Sequence, residues 1–242
     1  MKIVQVGAIS TGIVIALGIA MVIPPFIRPG PPLTVLLTFS VLDENNAPDW
    51  CRDLSSVLKK HDIKATVFVT GRLADLYPEC VTVFPDDADV GSQTYHYVSL
   101  ALIPDYAVQL EEIKQGKQAV DSAGKLSSKL FKAPYGSTDE NIYSLLSRSG
   151  IVADFSSNNQ YNKYYDGQFI KFNLSTYDGK NHSVDFFRTL PVTEPVLIYF
   201  DNLTPVEKID GFISKLKSRH IVFVDASELT GVDLTVRKGD KN

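Results

Sequence analysis

The stretch Leu33-Thr34-Val35-Leu36-Leu37-Thr38-Phe39, which continues into Ser40-Val41, decides the fold of this 242-residue chain. It is an almost unbroken apolar run. A strand in the middle of a parallel sheet is buried on both faces, so its sequence is continuously apolar rather than alternating. The run therefore predicts a buried parallel strand over residues 33–39.

Further strands and helices alternate along the rest of the chain. The apolar patterns predict strands at 65–69, 89–95, 129–133, 151–155, 196–200 and 221–224, and helices at 49–61, from about 78, and at 105–123, 140–149 and 206–219. Alternation of this kind implies a parallel sheet with helices outside it, and right-handed crossovers that close the sheet into a barrel. We expect one α/β domain over residues 33–230.

The ends of these strands resemble, in order, the motifs of the polysaccharide deacetylase family (carbohydrate esterase family four). Thr38-Phe39 stands where the family has Thr-Phe-Asp-Asp-Gly. Residues 90–97 (Val-Gly-Ser-Gln-Thr-Tyr-His-Tyr) are similar to Gly-Asn-His-Thr-x-x-His-Pro, and residues 132–136 (Lys-Ala-Pro-Tyr-Gly) to Arg-x-Pro-Tyr-Gly. Residues 195–201 are similar to the late strand that ends Leu-His-Asp, and residues 221–229 to the closing strand with its Ser-Glu-Leu. The resemblance implies a distorted (β/α) barrel with fewer than eight strand–helix units.

The polar positions of that family pattern are altered in this chain. The resemblance implies a divalent metal that polarises the acetyl carbonyl, an aspartate base and a histidine acid. The residues found at its positions are Ser40 at the base, Val41, Gln93 and Tyr97 at the metal ligands, Phe200 at the acid and Lys132 at the arginine that orients the base. Valine cannot bind a metal, and glutamine and tyrosine are poor zinc ligands. We therefore expect no cofactor and a pseudoenzyme with a glycan-binding or structural role in the cell envelope.

An alternative is a divergent carbohydrate deacetylase whose site has moved. Asp43 and Glu44 lie in the loop after the first strand, His96 precedes a ligand position, and Asp201 follows the acid position. Asp43, His96, Lys132 and Asp201 are then the candidate catalytic residues, at the strand ends where barrel chemistry takes place. This alternative requires a divalent metal such as zinc, and it hydrolyses the amide of an N-acetylated sugar.

Aromatic residues separate the glycan-binding role from the structural role. A binding groove requires Tyr95, Tyr97, Tyr135 and Tyr165 along its walls, because tyrosine rings stack on sugar faces. A pocket filled by Phe200 and Tyr97 favours a structural role instead. The polar and aromatic segment 158–190 breaks the strand–helix alternation, and the sequence leaves two interpretations open. It is either a β-hairpin that covers the barrel side or a sugar-stacking platform.

Lys132 is the one cation that the resemblance places inside this region. Its family counterpart faces the carboxylate of the base, which Ser40 does not supply. A buried lysine without a counter-charge loses its charge or recruits another acid. We predict that Lys132 pairs with Asp43 or Asp154, or that its ammonium group reaches solvent.

The N-terminus predicts a membrane anchor. Residues 3–23 carry no charge, and about 20 apolar residues are enough to cross a bilayer. We therefore assign 1–23 to a single transmembrane helix or an uncleaved signal, and 24–32 to a proline-rich linker. Residues 231–242 are assigned to a polar C-terminal tail.

Sequons and cysteines favour an extracytoplasmic location at the cell membrane. The sequence contains Asn-x-Ser/Thr at Asn173, Asn181 and Asn202. Cys51 and Cys80 are compatible with a disulfide in an oxidising compartment, and equally with two separate buried thiols. The formal net charge of −4 without a basic cluster argues against nucleic acid as a partner. The expected partners are the membrane and either an N-acetylated glycan or another envelope protein.

Overall fold

The computed structural model describes residues 31–42, 45–86, 88–156, 169–170, 174–190, 194–218 and 220–238. Its strands are β1 (Leu33–Val41), β2 (Thr66–Val69), β3 (Asp89–Ser92), β4 (Leu126–Ser128), β5 (Leu130–Phe131), β6 (Ala153–Asp154), β7 (Ser175–Asp178), β8 (Val196–Asp201), β9 (Ile221–Val224) and β10 (Thr235–Arg237). Its α-helices are α1 (Ala47–His61), α2 (Gly71–Leu76), α3 (Glu79–Thr82), α4 (Tyr106–Gly124), α5 (Glu140–Arg148), α6 (Val184–Thr189), α7 (Val206–Lys217) and α8 (Ala226–Thr230).

The main sheet is parallel and is organised around β1. Its order is β6-β5-β3-β2-β1-β8-β7, and β9 pairs with β1 as well. Val35 and Leu36 pair with both β8 and β9, so those two strands lie on opposite edges of β1. On the β9 edge, β2 takes over from Thr38 onward. The predicted buried parallel strand is therefore confirmed, with three neighbours.

The sheet does not close within the described part of the chain. Its end strands β6 and β7 each pair on one side only. The expected closed barrel is therefore corrected to a half-barrel, because β5 and β6 are two residues long and provide few ladder positions on that side.

The two faces of β1 bury different side chains, as the period of two along a strand requires. One face of β1 packs in the core between the sheet and the helices, which we call the helix-side core, and contributes Val35, Leu37, Phe39 and Val41 to it. Leu36 belongs to an inner cluster with Phe68, Leu130, Ala153, Phe155 and Leu197. Thr38 and Ser40 follow Leu36 on the inner face. This alternation decides which side chains reach the site.

The segment 158–190, for which the sequence left a hairpin and a sugar-stacking platform open, contains a further strand–helix unit. β7 runs parallel to β8, with Ser175 opposite Val196, and α6 follows it. Tyr177, Phe186 and Phe187 pack against one another and against the helix-side core. The hairpin is therefore wrong for 175–189, although the expected covering role of the aromatic residues is correct.

The sequence predicts a membrane anchor at one end of the chain and a polar tail at the other. Residues 235–237, predicted as part of a polar tail, form β10 antiparallel to β4, and Leu234 before them is fully buried. Among the described helices, none has the length and apolar character needed to span a membrane. The predicted anchor, residues 1–23, lies outside the described residues.

Cys51 in α1 and Cys80 in α3 form a disulfide, and both residues are fully buried. Of the two readings left open by the sequence, the structure therefore contains the bonded pair. The disulfide attaches the short α3 to the longer α1 beneath the sheet.

Candidate functional site

A cavity of about 210 Å³ opens at the carboxyl ends of the parallel strands. We call it the cup. Its walls are Ser40, Leu42, Gln93, Tyr97, Lys132, Ala133, Tyr135, Gly136, Phe155, Thr176, Leu197, Tyr199, Phe200 and Asp201. These residues come from β1, β7 and β8 and from the segments after β1, β3, β5 and β6, because the ends of neighbouring parallel strands meet at one edge of the sheet.

Lys132 crosses the cup and donates a hydrogen bond to Ser40 Oγ over 3.0 Å. Its Nζ also lies 4.8 Å from the centre of the Tyr199 ring, within the range of a cation–π contact. Burial lowers the pKa of Lys132 to about 8, and the nearby carboxylates of Asp201 and Asp178 oppose that shift only in part. The lysine is therefore a cation at neutral pH and becomes neutral under mildly alkaline conditions.

The sequence prediction for the partner of Lys132 is wrong in one part and untested in another. Asp154 is fully buried and accepts hydrogen bonds from Tyr143 Oη at 2.6 Å and from Ser156 Oγ at 2.5 Å. Burial raises the pKa of Asp154. Its carboxyl is thus satisfied within its own neighbourhood, while Lys132 bonds to Ser40 instead. Asp43 and Glu44 lie outside the described residues, so pairing with Asp43 stays a prediction.

The register between β1 and β8 shows which residue near the former acid position faces the cup. Thr38 pairs with Tyr199 and Ser40 pairs with Asp201, so Tyr199 and Asp201 share the inner face. Phe200 borders the cup, but its ring stacks on Phe39 in the helix-side core, with centroids 6.0 Å apart. Phe200 therefore does not fill the cup, and Tyr199 is the aromatic residue of β8 that faces Lys132. The two-residue alternation along 196–201 is the sequence signal that finds Tyr199.

Tyr97 and Tyr135 form the aromatic rim, with ring centroids 5.2 Å apart. Both have left-handed backbone conformations, with φ of 56° and 60°, which bulky residues rarely adopt. Burial raises the pKa of Tyr97 to about 12, whereas Tyr135 is 72% exposed. Strained backbone of this kind concentrates at ligand sites, so the rim is a candidate contact surface for a ligand.

The other predicted groove tyrosines are not in the cup. Tyr95 donates from its hydroxyl to Asp75 Oδ2 over 3.0 Å, on the α2 side of the sheet. Strand β3 ends at Ser92, so the chain from Gln93 onward does not follow strand alternation, and Gln93 and Tyr97 border the cup while Tyr95 does not. Tyr165 lies outside the described residues.

His96 does not face the cup either. Its Nδ1 lies 2.8 Å from Glu112 Oε1, and its backbone N–H donates to Glu112 Oε2 over 3.0 Å. Helix α4 therefore holds the imidazole on the outside of the sheet. Asp201 does border the cup, but its Oδ2 accepts from Lys180 Nζ over 2.8 Å. Of the four candidate catalytic residues, the structure brings together Lys132 and Asp201.

These positions do not fit the metal that the resemblance implies. Val41 points into the helix-side core, and the Gln93 amide donates to the carbonyl of Phe68 over 3.2 Å. The ammonium of Lys132 lies next to Ser40, and a cation there repels a second cation. Within the described ranges, no three His, Cys, Asp or Glu side chains converge on a point that could hold a metal ion.

The substitution His96→Ala tests the relocated site. Because His96 contacts Glu112 at an exposed position, we expect the free energy of unfolding to change by less than about 1 kcal/mol. We also expect bound zinc, measured after reconstitution, to be the same in wild type and variant. Loss of stoichiometric zinc in the variant alone would return His96 to a metal site.

The three sequons differ in their accessibility. Asn202 is 1% exposed, and its Oδ1 accepts from the backbone N–H of Leu42 over 2.7 Å. The folded protein therefore does not present Asn202 for glycosylation, although its sequon makes it a candidate acceptor in the sequence. Asn181 is exposed beside Asp178, and Asn173 lies outside the described residues.

Comparison with known proteins places these features in a family context. The family model "Polysaccharide deacetylase" matches residues 28–153, which is more than half of the chain. The peptidoglycan-N-acetylmuramic acid deacetylase PdaA of Bacillus subtilis is 23% identical over 203 residues, covering 81% of this chain and 71% of that protein.

Solved structures with the same fold include a pseudoenzyme. A CE4 family pseudoenzyme from Bacillus anthracis superposes with a TM-score of 0.62 at 19% identity, covering 84% of this chain and 66% of that one. A mutant of it with restored enzymatic activity superposes with a TM-score of 0.61 at 18% identity, covering 84% and 69%. At these identities the likeness establishes the fold alone.

Proposed function

Because the chain belongs to the polysaccharide deacetylase family, we propose that it is a member that has lost the metal-dependent reaction and binds an N-acetylated glycan. The observation that carries this proposal is the contact between Lys132 and Ser40 at the centre of the cup. A lysine and a serine occupy the place of a base and metal centre, yet the cavity around them remains. The pseudoenzyme from Bacillus anthracis supports the view that this fold occurs without activity.

The cup favours glycan binding over a purely structural role. Phe200 does not fill it, and the exposed ring of Tyr135 lies at its rim beside Tyr97. Aromatic faces next to a few polar groups are the common composition of a carbohydrate site. The family's relatives in peptidoglycan deacetylation support an N-acetylated envelope polymer as the ligand class.

We further propose an extracytoplasmic domain attached to the membrane through residues 1–23. The uncharged run 3–23 and the sequons support this location. The disulfide between Cys51 and Cys80 supports it as well, since disulfides persist in oxidising compartments. Reporter fusions at the C-terminus, compared with and without residues 1–23, test the location. Retention in the cytoplasm would contradict it.

Titration of the full-length protein with N-acetylglucosamine oligomers tests the binding role. We expect saturable binding without acetate release, and about five- to tenfold weaker binding in Tyr135→Ala, because one aromatic contact contributes about 1 kcal/mol. Tyr95→Ala is the matched control, since Tyr95 bonds to Asp75 outside the cup.

Two outcomes of that titration would contradict the proposal. Equal losses in Tyr135→Ala and Tyr95→Ala would show that the rim is not the contact surface. Release of acetate that stops on metal chelation and returns when zinc is added back would show an enzyme, in agreement with the relocated-site alternative.

A further inference from the structure

Lys132 is a cation without a carboxylate partner in the described part of the chain. An ammonium group has three N–H donors. One donates to Ser40 Oγ, and the aromatic rings of Tyr199 and Phe68 lie 4.8 and 5.9 Å from Nζ. The remaining donor capacity of Lys132 is therefore directed at the aromatic wall and the interior of the cup.

The two acids whose negative charges act on Lys132, Asp201 and Asp178, hydrogen-bond to other groups. Asp201 Oδ2 accepts from Lys180 Nζ over 2.8 Å, and its Oδ1 accepts from the backbone N–H of Leu203 over 3.1 Å. Asp178 accepts from the backbone N–H of Lys180 and from the side chain of Asn181, both over 2.9 Å. Neither acid hydrogen-bonds to Lys132, so their charges only partly offset the cost of burying it.

The size of the cup limits which chemical group can bind beside Lys132. Pockets that enclose a whole drug-sized ligand measure about 300–1,000 Å³. A cavity of about 210 Å³ accepts one substituent of a sugar and leaves the ring at the rim, against Tyr97 and Tyr135. In the family pattern an aspartate carboxylate occupies the side of the cup where Ser40 leaves only a hydroxymethyl group. The space beside Lys132 therefore has the dimensions and the charge for a planar anion.

We infer that the cup binds a carboxylate carried by the glycan, against both Lys132 Nζ and Ser40 Oγ, on the side of the cup where the family has an aspartate. This inference rests on the proposed glycan-binding function and specifies its ligand as an acidic N-acetylated sugar. A carboxylate matches the site because its two oxygens can accept from the ammonium and the hydroxyl together. A dianionic phosphate fits less well, since a single cation would face it while Asp201 and Asp178 repel it.

The test compares two sugars that differ only in charge. The full-length protein is titrated with an N-acetylglucosamine–N-acetylmuramic acid disaccharide and with the same disaccharide as its lactyl carboxamide. We expect the carboxylate form to bind at least about tenfold more tightly, as a hydrogen bond to a charged group typically provides. Sodium lactate is the third ligand, and we expect it to bind far more weakly than the acidic sugar.

Lys132→Met and Lys132→Gln should reduce the preference for the carboxylate form over the carboxamide form from at least about tenfold to less than about twofold. Lys129→Met is the matched control, because its Nζ donates to the backbone carbonyl of Asp233 outside the cup. Unfolding curves of all three variants establish that they are folded before they are titrated.

The outcomes separate this inference from the proposed function. Equal binding of both disaccharides, or a preference that survives Lys132→Met, overturns the carboxylate site and leaves glycan binding intact. Lactate binding as tightly as the acidic sugar overturns the sugar-borne source of the carboxylate. If neither disaccharide binds and the neutral N-acetylglucosamine oligomers do not bind, both the inference and the proposed function are overturned.

Discussion

At pH 7, the free energy of unfolding of Lys132→Met is expected to be about 1–3 kcal/mol higher than that of the wild type, so the variant is more stable. Burial lowers the pKa of Lys132 from 10.5 to about 8, and each pKa unit corresponds to about 1.4 kcal/mol. The full shift would give about 3.5 kcal/mol, and the lost hydrogen bond to Ser40 and the partial exposure of the side chain reduce that figure. The direction follows because methionine removes a buried charge that lacks a partner.

The pH dependence of this difference follows from the direction of the pKa shift. Below pH 8 both the folded and the unfolded state carry the proton on Lys132, so the wild type bears the full cost of the buried charge. Between pH 8 and 10.5 the folded state releases its proton first, and the wild type gains stability relative to Lys132→Met. We therefore expect the difference between the two proteins to narrow across that window.

Urea unfolding at pH 7 and pH 10 measures this effect, with Lys129→Met as the control that should show little change at either pH. A Lys132→Met variant that is 3–5 kcal/mol less stable at pH 7 would indicate a buried carboxylate partner. The candidate would then be Asp43, in agreement with the sequence prediction.

Replacing both cysteines by alanine is expected to lower the free energy of unfolding by about 3–4 kcal/mol. Cys51 and Cys80 close a loop with a sequence separation of 29 residues, and the chain-entropy model assigns about 3.7 kcal/mol to a loop of that length. Both residues are fully buried against the helix-side core, so packing losses act in the same direction.

Reduction of the wild type in urea should reproduce most of that loss without any mutation, and it should leave the double variant unchanged. Ser55→Ala is a suitable control on the same helix, since it removes a single hydrogen bond to the Val83 carbonyl and leaves the disulfide in place. Equal stability of the oxidised and reduced wild type would contradict a structural role for the disulfide.

The core of the fold could be predicted from the sequence because its signals are local. The unbroken apolar run at 33–39 specifies a doubly buried strand, and the structure extends it to Val41. Helix α1 was predicted from Asp49, and the structure starts it at Ala47, with a proline in its first turn. The short strand Ser175–Asp178 was missed because its four residues are mostly polar and only partly buried. Its position beside β8 depends on tertiary pairing, which the local sequence does not reveal.

The site could be predicted by residue type but not by direction. The replacement of the acidic and imidazole groups is evident from the sequence, and so is the presence of Lys132. Which side chains enter the cup depends on strand register, and the register places Tyr199 instead of Phe200 on the inner face. The position of His96 depends on Glu112 in a distant helix, and that of Asp154 depends on Tyr143. A pattern from one strand does not contain such contacts.

The position of β1 has a consequence for when the domain can assemble. β1 is the first strand to be synthesised, yet its neighbours β8 and β9 come from the last fifth of the chain. Contacts that are so distant in sequence form late, since the intervening loop must be ordered first. The centre of the sheet therefore cannot be completed on the ribosome before most of the polypeptide has emerged. If the proposed extracytoplasmic location holds, this delay keeps the polypeptide unfolded during export until the last strands arrive.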